Sequence, residues 1–157
     1  MIAAGRARTY TLVASLVDTN ILVYRFDGRF PHKQQIADEV LRRGLINEDL
    51  RIPHQALLEF VAVVTRVSRG TQPLLDHFAA RREAEELLTQ FTVLFPNDAV
   101  FRTALRGSAA YQLSWFDAHL WAYAEHYGID EIVSEDFEDG RFYGSVRARN
   151  PFAAAKP

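Results

Sequence analysis

Apolar residues fall along this chain in two rhythms. Short, near-continuous apolar runs end on polar or turn-forming residues. Between them lie longer stretches in which apolar positions return every three or four residues. The first rhythm reads as strands buried on both faces, the second as amphipathic helices. Thr11 to Val17 is the first run; it ends on Asp18, and Thr19 or Asn20 opens a short helix reaching Phe26 before Asp27-Gly28. Pro31 suits the first turn of a second helix to about Leu45, with Ile36, Val40 and Leu41 on one face. Arg51 to Pro53 is a strand tip, and His54 to Ser68 a helix dense in Ala, Leu, Phe and Val. Helices over Asp76 to Gln90, Asp98 to Tyr111 and Trp115 to Tyr127 follow, the last closed by Gly128. Strands over Thr92 to Phe95, Glu131 to Val133 and Val146 to Arg149 alternate with them.

This order predicts an α/β fold of three layers, α/β/α, around a central parallel sheet. The domain is expected over residues 11–152, with 1–10 as an N-terminal extension and 153–157 as a tail. In such folds chemistry gathers at the carboxyl ends of the strands, where Asp18 and Asp136 fall.

Composition narrows the class. A chain of 157 residues, 48 % hydrophobic, suits one domain with a sizeable core. It has no cysteine, so disulfides and thiolate metal sites are excluded and a cytoplasmic location is expected. No apolar run approaches the roughly 20 residues of a membrane span. Arg6 and Arg8 precede too short an apolar stretch for a signal peptide. The net charge of -2 does not favour a nucleic-acid binder. Of 18 basic residues only Lys33 and Lys156 are lysines, and neither is placed in sequence to neutralise the acids considered next.

Four acids need an explanation. Glu59 stands mid-helix between Leu58 and Phe60 with no Lys or Arg one turn away, so it either reaches solvent at the stripe's edge or needs another partner. Asp117, between Phe116 and Ala118, taken alone reads as an ordinary first-turn acid. Asp136, in Ser134-Glu135-Asp136, taken alone reads as a turn acid. Asp18 ends the most buried strand. Pointing into one crevice, such acids repel by roughly 4 kcal/mol per pair at 4 Å and an effective dielectric near 20. A hard divalent cation, Mg²⁺ or Mn²⁺, answers that repulsion and brings the chemistry of phosphodiester hydrolysis. P-loop, G-x-G-x-x-G, G-x-S-x-G and H-E-x-x-H signatures are all missing. The five histidines are scattered, and His119 reads as a surface or interface residue. Trp115, Phe116, Trp121 and Tyr123 read as core.

The segments Leu16-Val17-Asp18-Thr19-Asn20, Pro53-His54-Gln55-Ala56-Leu57-Leu58-Glu59-Phe60, Leu113-Ser114-Trp115-Phe116-Asp117-Ala118 and Ser134-Glu135-Asp136-Phe137, with the closing Asn150-Pro151-Phe152, together resemble the PIN-domain ribonucleases. The likeness is greatest to the toxins of VapBC-type (type II) toxin–antitoxin pairs. It implies that Asp18, Glu59, Asp117 and Asp136 form a catalytic metal site for Mg²⁺ or Mn²⁺, with Asn20 and Ser134 lining it toward substrate, and that Asp139 could add an outer acid. It also implies endonucleolytic cleavage of RNA, a small antitoxin partner and a homodimer. The extension before Asp18 is longer than such toxins usually carry. Two other readings stay open. One is a PIN-like domain that binds or processes RNA without being a toxin. The other is a phosphatase-type domain, which the lack of a second acid in Asp18-Thr19-Asn20 disfavours.

Overall fold

The computed structural model describes residues 13–153; the expected extension, the first two residues of the expected first strand and most of the tail lie outside them. Six strands form one sheet in the order β3-β2-β1-β4-β6-β5. They are β1 (Ser15–Val17), β2 (Leu50–Pro53), β3 (Thr92–Leu94), β4 (Glu131–Val133), β5 (Phe142–Tyr143) and β6 (Val146–Arg149). All pairings are parallel except that of β5 with β6. The helices are α1 (Thr19–Tyr24), α2 (Pro31–Asn47), α3 (His54–Val64), α4 (His77–Gln90), α5 (Asp98–Tyr111) and α6 (Trp115–Tyr127).

Alternation along β1 sorts the layers. Val17 faces a core built with Ile21, Leu41, Phe60 and Leu87 from α1 to α4. Leu16 faces the opposite core, with Val100, Ala104, Leu120 and Tyr123 from α5 and α6. Both residues are fully buried, as a central strand covered on two sides requires. β1 pairs with β2 on one edge and β4 on the other, so the chain reverses direction of travel across the sheet there. The crevice beyond the carboxyl ends of β1 and β4 is the switch point of an open α/β sheet, and it receives Asp18 and the Ser134–Asp136 loop.

Three details differ from the sequence reading. The strand β5, two residues long, is too short to leave a periodic signal; it forms a hairpin with β6 through Gly144, whose φ of 66° suits glycine. Helix α3 stops at Val64 instead of Ser68: β-branched Val63, Val64 and Thr65 crowd its end, the Thr65 hydroxyl bonds back to the Val61 carbonyl, and Val67 is exposed. Helix α1 begins at Thr19 as expected, with Asp18 as its N-cap accepting the Thr19 N–H at 2.6 Å, but it ends at Tyr24 rather than Phe26.

The α5–α6 pair is close because α5 carries Gly107. A methyl group there would stand 2.3 Å from Cζ3 of Trp121, whose indole N–H donates to the Tyr143 carbonyl at 2.9 Å. Gly107→Ala is expected to lower stability by about 1–3 kcal/mol, because overpacking against an anchored ring outweighs the helix propensity gained. Urea denaturation reads this; an unchanged midpoint would show that Trp121 yields freely.

Candidate active site

The site is assembled from the ends of β1 and β4 and from the helices that flank them. Asp18 is buried at the tip of β1. One carboxylate oxygen caps α1, and the other accepts from the Ser134 hydroxyl at 2.6 Å and from the Asn20 amide at 3.2 Å. Ser134, fully buried just beyond β4, also accepts the backbone N–H of Asp136 at 3.0 Å. The Asn20 amide nitrogen additionally reaches Ser134 Oγ and an Asp136 carboxylate oxygen, each at 3.2 Å. One amide therefore lies between the two acids.

Asp117 arrives from α6. Ser114 caps that helix by accepting the Asp117 N–H and donates its own proton to the Asp117 carboxylate at 2.7 Å. Asp117 is thus tied to the residue that caps α6 and still bears on the site: its charge, with that of Asp136, raises the pKa of Asp18. Glu59 comes from α3 and accepts the Thr19 hydroxyl at 3.1 Å, so it joins Asp18 through the next residue along the chain. Asp139 is a turn residue, accepting the Asn150 N–H at 2.8 Å.

Electrostatics mark the same place. Burial, followed by repulsion from Asp136 and Asp117, pushes the Asp18 carboxyl up to about 7 against the pull of the Ser134 and Thr19 hydrogen bonds. Asp136 is also raised, first by burial and then by Asp117 and Glu135, while Asn20 and Lys33 pull the other way. A carboxyl group held as far from its ordinary range as that of Asp18, in a crevice, is characteristic of a functional site.

Four residues play parts other than those expected. His119 is half-buried, with Nδ1 2.6 Å from Gln55 Oε1 and its ring edge-on to Tyr123. Burial lowers its pKa while Glu59 opposes the shift. Gln55 donates to Glu59 at 2.7 Å and to the Phe116 carbonyl at 3.3 Å, so its amide oxygen is left to accept from His119. A polar chain His119–Gln55–Glu59–Thr19 therefore runs from α6 to the tip of β1. The one-turn spacing of Gln55 and Glu59 was visible in sequence; the 64-residue separation of Gln55 and His119 was not. Trp121 and Tyr123 are buried as expected, but Trp115 and Phe116 are exposed beside Asp117 because they overhang the start of α6. Lys33 does reach the acidic loop, bonding Glu135 next to Asp136.

Whether this donor set suits a divalent ion can be judged from its chemistry. Among the described residues, no three Asp, Glu or His side chains already stand close enough together to hold an ion between them. Mg²⁺ does not need that: it keeps several waters and is commonly held by one or two carboxylates. Asp18 and Asp136, repelling each other across one amide, meet this demand. Asn20 Oδ1, buried and without a hydrogen-bond partner, is a further oxygen with an unmet need. The residues fit the ion.

An α/β domain with clustered carboxylates at its switch point is the class this geometry defines. The family model for the PIN domain matches residues 15–142, and the chain belongs to the PIN domain family. A search of curated proteins finds no match. Solved structures of similar fold include a toxin–antitoxin complex from Klebsiella pneumoniae, at 17 % identity and a TM-score of 0.63, covering 88 % of this chain and 98 % of that one. A DNA-bound VapBC from Salmonella typhimurium is 13 % identical, with a TM-score of 0.65 and coverage of 88 % and 98 %. The sarcin–ricin loop cleaving toxin VapC20 of Mycobacterium tuberculosis is 17 % identical, with a TM-score of 0.58 and coverage of 76 % and 87 %. No helix among the described residues is long and apolar enough to cross a membrane.

Proposed function

We propose that this protein is a divalent-metal-dependent endoribonuclease of the cytoplasm and the toxin of a type II toxin–antitoxin pair. The observation that carries the reading is the buried Asp18 at the switch point, linked to Asp136 through the Asn20 amide, with its carboxyl pushed up to about 7 by burial and by the charges of Asp136 and Asp117. Such an arrangement gains most from a cation. Asp18 and Asp136 would hold Mg²⁺ or Mn²⁺, Asp117 would bear on it from the facing helix, and Glu59 is steadied by Thr19 and Gln55. A bound ion supplies an activated water and positive charge at the phosphoryl oxygens. Ser134 orients Asp18, and Asn20 offers Oδ1 to a substrate hydroxyl or a water.

The solved structures of similar fold support the partner as well, since two of them are a toxin–antitoxin complex and a DNA-bound VapBC, and another is a sarcin–ricin loop cleaving toxin. A small antitoxin presenting a basic side chain complements this acidic crevice. Exposed Leu58, Phe101, Trp115 and Phe116 form an apolar surface beside Asp117 that supports a homodimer. For RNA backbone, Arg66, Arg69 and Arg147 make no ion pair among the described residues, whereas Arg25 and Arg29 are engaged by Asp38, Glu83 and Asp27.

The test is cleavage of single-stranded RNA by purified protein, read by gel. Cleavage is expected with added Mg²⁺ or Mn²⁺, stopped by EDTA and restored by excess metal. RNA binding without turnover under any of these conditions would instead favour an RNA-binding PIN domain.

A further inference from the structure

Lys33 is the only lysine among the described residues, in a chain whose other cations are nearly all arginine. It lies in the first turn of α2, where the helix dipole disfavours a cation. Something else must hold it there, and the surroundings show what. Lys33 Nζ donates to one carboxylate oxygen of Glu135 at 2.5 Å and to the Tyr24 hydroxyl at 2.9 Å. The Tyr24 hydroxyl donates to the other Glu135 oxygen at 2.6 Å, which closes a three-membered ring of hydrogen bonds. The ammonium also sits 4.5 Å from the Tyr24 ring centre and 5.3 Å from that of Phe152. Four parts of the chain meet at this point: the end of α1, the start of α2, the loop after β4 and the turn after β6.

Glu135 and Asp136 are adjacent carboxylates on one loop. Both oxygens of Glu135 are bonded from the α1–α2 side, whereas an Asp136 oxygen is bonded to Asn20 beside Asp18. We propose that Lys33 is a positioning residue of the acidic site: by pairing with Glu135 it withdraws one of two neighbouring carboxylates and fixes the loop so that only Asp136 faces Asp18. The inference rests on the proposed metal-dependent activity for its consequence, but the anchoring itself is a property of the folded chain. Without Lys33, Glu135 keeps one hydroxyl bond and an uncompensated charge, and it is free to compete with Asp136 for the place beside Asp18.

The experiment uses full-length wild type, Lys33→Met, Lys33→Arg and the double variant Lys33→Met with Glu135→Gln. Hydrogen exchange in metal-free protein should speed up at residues 134–137 in Lys33→Met and stay near wild type in Lys33→Arg, with the rest of the sheet unchanged. RNA cleavage by Lys33→Met should fall roughly 10–100-fold, the range for partners that orient ligands, while Mn²⁺ still binds. The double variant should recover most of that loss, because the competing charge is gone; a merely structural lysine would leave it as impaired as the single variant. Unchanged exchange at 134–137, or a double variant no better than Lys33→Met, overturns the proposal. Failure of wild type to cleave any RNA with metal would refute the proposed function alone, and the exchange result would still decide the role of Lys33.

Discussion

Asp18→Asn abolishes RNA cleavage while making the metal-free protein more stable: this paired result is the expected one. The loss should be roughly 10³-fold or more, since losing a partner that only orients a ligand already costs about 10–100-fold and here the ligand charge itself is removed. The gain in stability comes from the same carboxyl. Its rise from 3.8 to about 7 means the fold pays to ionise it, a cost of roughly 4 kcal/mol once the group is fully charged. Asparagine keeps the shape and an oxygen to cap α1 but carries no charge to bury. A shift of its amide toward Asn20 takes back part of the gain. Cleavage assays and thermal melts at pH 8 on the same preparation check both halves. Retained cleavage would remove Asp18 from the chemistry; a lower melting temperature would show that its hydrogen bonds outweigh its desolvation.

The second large effect is the dependence of stability on pH and metal. The unfolded chain ionises Asp18 near 3.8, whereas the folded chain keeps the proton to about 7. Between those values the folded state binds more protons, so this contribution to stability is complete below about pH 4, falls as pH rises, and is gone above about pH 7. Asp136, raised for similar reasons, acts in the same direction. Metal-free protein is therefore expected to melt lower at pH 8 than at pH 5, and Asp18→Asn to flatten that slope. Mg²⁺ at about 100 times its Kd adds about 2.7 kcal/mol, and more of its effect appears at pH 8, where no proton need be displaced. Melts at both pH values, with and without MgCl₂, measure this. Equal Mg²⁺ shifts for wild type and Asp18→Asn would place the ion elsewhere.

Much of this was legible in the sequence because it is local. Leu16-Val17-Asp18 states a buried strand and an acid at its tip, and the strands of the parallel core and the helices that follow them appear where the apolar rhythm puts them. Asp117 was harder: its bond to the α6 cap Ser114 is visible locally, whereas its influence on Asp18 depends on how α6 packs across the sheet. What stayed hidden depends on contacts far apart in sequence. Lys33 and Glu135 are separated by 102 residues, and no rule of spacing joins them. The exposure of Trp115 and Phe116 was hidden for another reason: aromatic composition suggests burial, but at the first turn of a helix a residue can project past the layer it belongs to.

The Asn20 amide has two hydrogens and three acceptors within 3.2 Å, on Asp18, Ser134 and Asp136. At any instant one acceptor goes without. The arrangement is degenerate, and a degenerate contact is easily exchanged. A cation held as proposed by Asp18 and Asp136 would have to displace only a shared, imperfect hydrogen bond from the Asn20 amide. The cost of opening the site is thereby kept local, while the Ser134 hydroxyl, bonded to Asp18 at 2.6 Å, holds the strand tips in register throughout.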